Sequence, residues 1–127
     1  MLRQGPIPLF VHGVLEYLLG ALLIAAPFLF GFDDVGSATA LSIIAGVFVL
    51  LSGASTDGFR TSLVKVLPLG AHIVLDYLLG ALFIAAPFLF GFSDESSPTA
   101  FFIVLGVLAL LIALGTRWRP ADTRTAL

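Results

Sequence analysis

The sequence predicts an all-α polytopic membrane protein, with four transmembrane helices arranged as two tandem helix-pair repeats. Three observations predict it: a composition too apolar for water, an internal duplication, and four apolar runs near bilayer length. Of the 127 residues, 59% are hydrophobic and 11% charged, with a mean hydropathy of +1.12. An ordinary soluble domain is about 45–50% apolar and about 25% charged. Twelve Phe and many Leu, Ile and Val supply too much apolar surface for disorder. Without cysteine, disulfides and zinc–thiolate sites are excluded. A formal net charge of −2, with no dense basic run, leaves no footprint for nucleic acid.

The duplication orders the chain. Shifted by sixty residues, positions 8–55 superimpose on 68–115 without a gap, and about 29 of the 48 pairs are identical. The first unit is 1–55 and the second 68–115, with a linker at 56–67 and a tail at 116–127. In the first unit, the run 9–32 holds a single charge, Glu16, and is expected to bend at Pro27, whose ring removes one helical hydrogen bond and frees the Leu23 carbonyl. The run 38–54 carries no charge. In the second unit, 69–92 holds Asp76 and Pro87, which frees the Phe83 carbonyl, and 99–114 is again uncharged. A hydrocarbon core of roughly 30 Å takes about 20 helical residues, so all four runs suffice, the two uncharged ones at the short end. Arg3 and the apolar stretch after it imitate a signal peptide. The near copy at 69–92 sits in mid-chain, where no signal peptidase acts, so the first helix is expected to stay.

Charge placement sets the orientation. Arg3, Arg60, Lys65, Arg117, Arg119 and Arg124 fall on the termini and the linker, whereas the two short hairpin loops hold Asp33, Asp34, Asp94 and Glu95. Short basic segments stay in the cytoplasm, which predicts a multi-pass protein of a prokaryotic inner membrane with both termini cytoplasmic. Two spans per unit give both copies the same orientation, related by a pseudo-two-fold axis along the membrane normal. Trp118, between two arginines, reads as an interfacial anchor. Ser37 and Ser97 read as helix caps.

The stretches Gly20…Ala26-Pro27-Phe28…Gly31-Phe32 and Gly80…Ala86-Pro87-Phe88…Gly91-Phe92 are each followed by an acidic loop and a Thr-Ala helix start. In this pattern the sequence resembles the SPW-repeat family of small bacterial and archaeal membrane proteins, built from a transmembrane-helix pair with a Ser-Pro-Trp motif. Ala-Pro-Phe stands at the signature in both copies. The resemblance covers both units and implies a fold without implying an activity.

At 100° per residue, His12, Glu16, Gly20 and Pro27 fall on one stripe of the first helix, and His72, Asp76, Gly80 and Pro87 repeat it on the third. Small residues let transmembrane backbones approach closely, so Gly20 and Gly80, with Gly46 and Gly106 on the short helices, predict the packing faces. Glu16 and Asp76 lie roughly 10 Å inside their runs at 1.5 Å per residue. An ionised carboxylate there costs a few kcal/mol unless it is protonated or paired, and the histidine one turn earlier is the partner at hand. Intramembrane ionisable groups of this kind suit a proton or cation path. Two imidazoles and two carboxylates also suit a transition metal, or the imidazoles a haem, but an i,i+4 His–carboxylate pair has low specificity. No metal or cofactor is therefore expected. No nucleophile–base set, phosphate loop or metalloprotease pattern occurs, so no enzyme is expected. The sequence reading is a structural or accessory membrane subunit that self-associates or packs into a larger complex within the lipid bilayer. The alternative is a small oligomeric proton or cation channel or transporter using His12, Glu16, His72 and Asp76.

Overall fold

A computed structural model describes residues 5–118. Four helices follow one another: α1 (Leu9–Leu29), α2 (Gly36–Ala54), α3 (Leu69–Leu89) and α4 (Ser96–Gly115). Each is long and apolar enough to cross a membrane. The boundaries correct the sequence expectation at the hairpin ends. Helices α1 and α3 stop at Leu29 and Leu89 and not at 32 and 92, while α2 and α4 begin at 36 and 96, earlier than 38 and 99.

The physical reason is a glycine. Gly31 and Gly91 take φ of 71° and 76°, a left-handed conformation open to glycine at little cost. The chain turns back there, so Phe32 N–H donates to Pro27 O at 2.8 Å and Phe92 N–H to Pro87 O at 2.9 Å. That 6→1 bond is the Schellman termination of a helix. Pro27 and Pro87 thus fall in the last turns of helices that run continuously through them. Ser37 and Ser97 do not cap α2 and α4, which follow Val35 and Glu95 without a side-chain cap. The turn carbonyls are tied instead by Thr39 Oγ1–H to Phe32 O (3.0 Å) and Thr99 Oγ1–H to Phe92 O (2.9 Å).

Each unit forms an antiparallel hairpin, α1 on α2 and α3 on α4. Its crossing point is glycine on glycine. A Cβ at Gly46 would stand 2.7 Å from Gly20 O, and one at Gly106 would stand 2.7 Å from Gly80 O. The two hairpins meet through a core of Leu23, Ala26, Phe83, Ala86, Phe102 and Leu105. At the hairpin-loop end, Phe32 lies 6.4 Å from Phe102 and Phe30 5.5 Å from Phe101, centroid to centroid, which joins the two units by tilted ring contacts.

At the opposite end the chain closes over itself. Ile7 pairs with Thr116, and Thr56 with Leu67. The linker is therefore more than a tether. Leu63 and Val64 both donate N–H to Ala54 O, at 2.7 and 3.0 Å, and Tyr17 Oη–H reaches Thr61 O at 2.7 Å. These bonds fold 56–67 back over the helix ends and bury Phe59. Trp118 is also buried there, with its indole N–H donating to Ala113 O at 2.9 Å, so it is a core side chain and not the interfacial anchor that its neighbours suggested. A buried indole needs an acceptor, and Ala113 O, among the last carbonyls of α4, supplies one. Arg3, Arg119 and Arg124, and the tail beyond 118, lie outside the described residues.

Candidate functional site

The stripe of polar and small residues on α1 and α3 faces the bundle interior. His12, Glu16 and Gly20 are buried on α1, and His72 and Gly80 on α3. Because the histidines stand one turn into their helices and the carboxylates one turn further, the pseudo-two-fold arrangement brings all four polar side chains to one level. One ligating atom from each of His12, Glu16, His72 and Asp76 lies within 4.8 Å of all the others.

The pairing runs mainly across the units. His12 Nε2 is 2.9 Å from Asp76 Oδ2, and His72 Nε2 is 3.2 Å from Glu16 Oε2. The i,i+4 contacts that spacing alone suggested are also present, but looser in α1: 3.3 Å for His12 to Glu16, and 3.2 Å for His72 to Asp76. Each imidazole therefore touches both carboxylates. The two carboxylates differ in how they do this. Asp76 divides its oxygens, Oδ2 to His12 and Oδ1 to His72, whereas Glu16 serves both imidazoles with Oε2 alone. Glu16 Oε1 is buried without a hydrogen-bond partner among the described residues.

Two threonines decide which imidazole nitrogen faces inward. Thr56 Oγ1–H donates to Ser52 O (2.5 Å) and Thr116 Oγ1–H to Ile112 O (2.6 Å), which uses each hydroxyl's only proton. His72 Nδ1 lies 2.8 Å from Thr56 Oγ1, and His12 Nδ1 2.8 Å from Thr116 Oγ1. The threonine oxygens must therefore accept, and Nδ1 carries the proton in both rings; the tautomer is assigned from this network. Both Nε2 atoms are left pointing at carboxylate oxygens, so a proton or another cation lies between each nitrogen and its oxygen. A bare nitrogen lone pair against an anionic oxygen at 2.9 Å would be repulsive.

Aromatic rings roof the quartet. Phe59 packs edge-on against His72 at 4.7 Å, and Trp118 lies 4.7 Å from His12. With these rings outside and the carboxylates between the imidazoles, no plane remains for a porphyrin. On the inner side a cavity of about 220 Å³ runs from His12, Glu16 and Asp76 between α1 and α4, with leucines and Phe83 along its walls.

The sequence stripe contains all four members of the quartet. It does not contain Thr56, Thr116, Phe59 or Trp118 in these roles. A signal for the threonines was present, since the sixty-residue identity extends one position past the repeat as drawn, to Thr56 and Thr116. Phe59 and Trp118 had none, because neither has an identical partner in the other unit. Gly20, Gly46, Gly80 and Gly106 lie at the hairpin crossings and Pro27 and Pro87 at the far end of the bundle, all apart from the quartet.

A model of the SPW repeat domain matches residues 9–116, the span that contains all four helices and both threonines. No curated protein and no solved structure matches the chain.

Proposed function

The chain belongs to the SPW repeat family, and on that premise we propose that it is a structural or accessory membrane protein that associates with itself or with a larger membrane complex. The observation that carries this reading is how the intramembrane polar groups are used. Both imidazoles and both carboxylates are spent on one another across the two units, under a roof of Phe59 and Trp118. Beyond Gly20 and Gly80 the described core is apolar, built from Leu23, Ala26, Phe83, Ala86 and Phe102. Ser42, the hydroxyl at that depth, is held on Leu23 O at 2.5 Å. A proton or cation route would need polar groups through this half as well. The quartet acts as a clasp between the units, and the lipid-facing surface, with Leu18, Phe28, Ile44, Leu78, Phe88 and Leu111 exposed, is left for other helices.

In this reading the linker end is cytoplasmic and the membrane is a prokaryotic inner membrane. Arg60, Lys65 and Arg117 lie at that end, while Asp33, Asp34, Asp94 and Glu95 lie at the other. Because the chain has no cysteine, single cysteines placed at Asp34 and Lys65 report sidedness by labelling with an impermeant maleimide. Labelling of Lys65→Cys from outside intact cells contradicts the orientation.

Association is tested by extraction in a mild detergent followed by native mass measurement. A homo-oligomer or a defined complex is expected, and a monodisperse monomer without partner refutes the proposal. The competing reading, a small oligomeric proton or cation channel, gives a pH-driven flux in liposomes that is lost in Glu16→Gln with Asp76→Asn. The accessory reading requires that the wild type conduct nothing.

A further inference from the structure

We propose that the quartet of His12, Glu16, His72 and Asp76 is a binding site for one divalent first-row transition metal ion of the zinc type. This goes beyond the accessory role and does not depend on it. The argument begins with the donor set. Two imidazole nitrogens and two carboxylates are ligands that zinc and its neighbours accept in four-coordinate sites. The donor atoms already converge: one from each residue lies within 4.8 Å of all the others. In a tetrahedral site with ligands at about 2.0–2.1 Å, neighbouring ligand atoms stand about 3.3 Å apart. The nitrogen–oxygen contacts, which use both Asp76 oxygens, measure 2.9, 3.2, 3.2 and 3.3 Å. An ion among them needs Asp76 to present one oxygen and the donors to close on a common centre.

Orientation is the second line of argument. Metal-bound histidines characteristically donate their other ring N–H to a fixed acceptor, which sets the tautomer and aims the lone pair. Here both do so, on Thr56 and Thr116, whose own protons are held by Ser52 O and Ile112 O. Both Nε2 lone pairs are thereby turned to the same point, between two anions. The charge count also matches. Two carboxylates with two neutral imidazoles carry −2, which a single divalent cation cancels inside an apolar bundle.

A third observation is independent of the first two. Glu16 is buried, yet its Oε1 has no hydrogen-bond partner among the described residues. A carboxylate serving hydrogen bonds alone leaves that oxygen uncompensated, at a cost. A divalent ion bound through Oε2 compensates the charge on that oxygen without a second bond. Gly53 faces this carboxylate, with its missing Cβ position 3.4 Å from Oε1, so the carboxylate has room to turn Oε2 onto the ion. The cavity of about 220 Å³ that reaches His12, Glu16 and Asp76 between α1 and α4 provides the approach.

The test is titration of Zn²⁺ into chelator-treated full-length protein in nanodiscs, followed by calorimetry, with Co²⁺ as a spectroscopic probe. One Zn²⁺ per chain is expected, with intense tetrahedral d–d absorption from bound Co²⁺ that Zn²⁺ bleaches. Asp76→Asn and His72→Gln should abolish both signals while the helical circular dichroism is retained. Thr116→Val keeps all four ligands and should weaken binding about 10–100-fold, the range for loss of such supporting hydrogen bonds. Neutralising Asp33, Asp34, Asp94 and Glu95 together should change nothing. If the ligand variants do not fold, the wild-type Co²⁺ spectrum and Thr116→Val decide the matter. Absence of saturable uptake, a non-tetrahedral Co²⁺ spectrum, unchanged affinity in Thr116→Val, or uptake that follows the loop carboxylates (an adventitious ion only) would each overturn the proposal.

Discussion

The two halves of this molecule share a backbone plan and differ in how they fill it. Where the first unit has Leu23 and Ser42, the second has Phe83 and Phe102. In the first unit the carbonyl that Pro27 frees is taken up by Ser42 Oγ–H at 2.5 Å. At the equivalent level of the second, two phenylalanine rings meet at 5.7 Å and fill the volume between α3 and α4. One unit answers the proline with a hydrogen bond and the other with packing. At the other end, Glu16 faces Gly53, whereas the shorter Asp76 belongs to the unit whose matching residue is Ala113. The longer acid goes with the smaller neighbour. At the acid the exchange conserves volume, whereas at the proline the second unit carries the larger pair, Phe83 and Phe102 against Leu23 and Ser42.

The largest test of this comparison is at the clasp. Glu16→Ala leaves His72 Nε2 facing only Asp76, and removal of one partner from a buried ionic group costs about 3–5 kcal/mol. The Asp76 side chain is 14% exposed against 8% for Glu16, so Asp76→Ala is expected to cost less. Unfolding by steric trapping in bicelles measures both, and equal losses would mean that the asymmetry is immaterial.

Exchange of the acid sharpens the second point. Asp76→Glu adds a methylene in the unit where Ala113 stands in the place of Gly53, and overpacking there is expected to cost about 1–3 kcal/mol. Ala113→Gly in the same chain should restore most of it, as Gly53 does for Glu16. If the double variant is no more stable than the single, the volume argument fails.

The glycine crossings should instead behave alike. A Cβ at Gly46 or at Gly106 meets the facing glycine carbonyl at 2.7 Å in both hairpins. Gly46→Ala and Gly106→Ala are expected to destabilise by similar amounts, about 1–3 kcal/mol. A difference of more than about 1 kcal/mol, the lower limit of that range, would show that the hairpins are not equivalent where the sequence is identical.

The smallest effect is at Ser42. Intramembrane hydrogen bonds average about 0.6 kcal/mol, with a maximum near 1.7. Ser42→Ala should fall in that range, and a larger loss would mean that the carbonyl freed by Pro27 finds no substitute for the hydroxyl.

Much of this was legible before any coordinates. Run length, the duplication and the glycine–proline spacing gave four spanning helices in two pairs, because each is a local property that hydrocarbon reads directly. The helix ends at Leu29 and Leu89 were misplaced by three residues, since Phe30 to Phe32 and Phe90 to Phe92 are apolar enough to continue a span while Gly31 and Gly91 turn the chain out of it. The stripe of His12 and Glu16, with its copy at His72 and Asp76, marked the site from spacing alone. The i,i+4 pairs that spacing suggested are present, but spacing shows only neighbours on the same helix and so misses the contacts across the units. Trp118 shows the same limitation: its flanking arginines suggested an interface, and in the fold its indole docks on the Ala113 carbonyl at the end of α4 and the imidazole of His12.

The sequence by itself determined how many times the chain crosses, which segments form pairs and which face of each long helix is polar. Those features follow from the match of apolar length to bilayer thickness and from the 3.6-residue repeat. Only the tertiary structure decided that each histidine pairs with the other unit's carboxylate, 64 and 56 positions away, that two threonines set the tautomers, and that the linker and Trp118 seal the quartet. Such contacts depend on the angle and depth at which two hairpins dock, which no local pattern encodes.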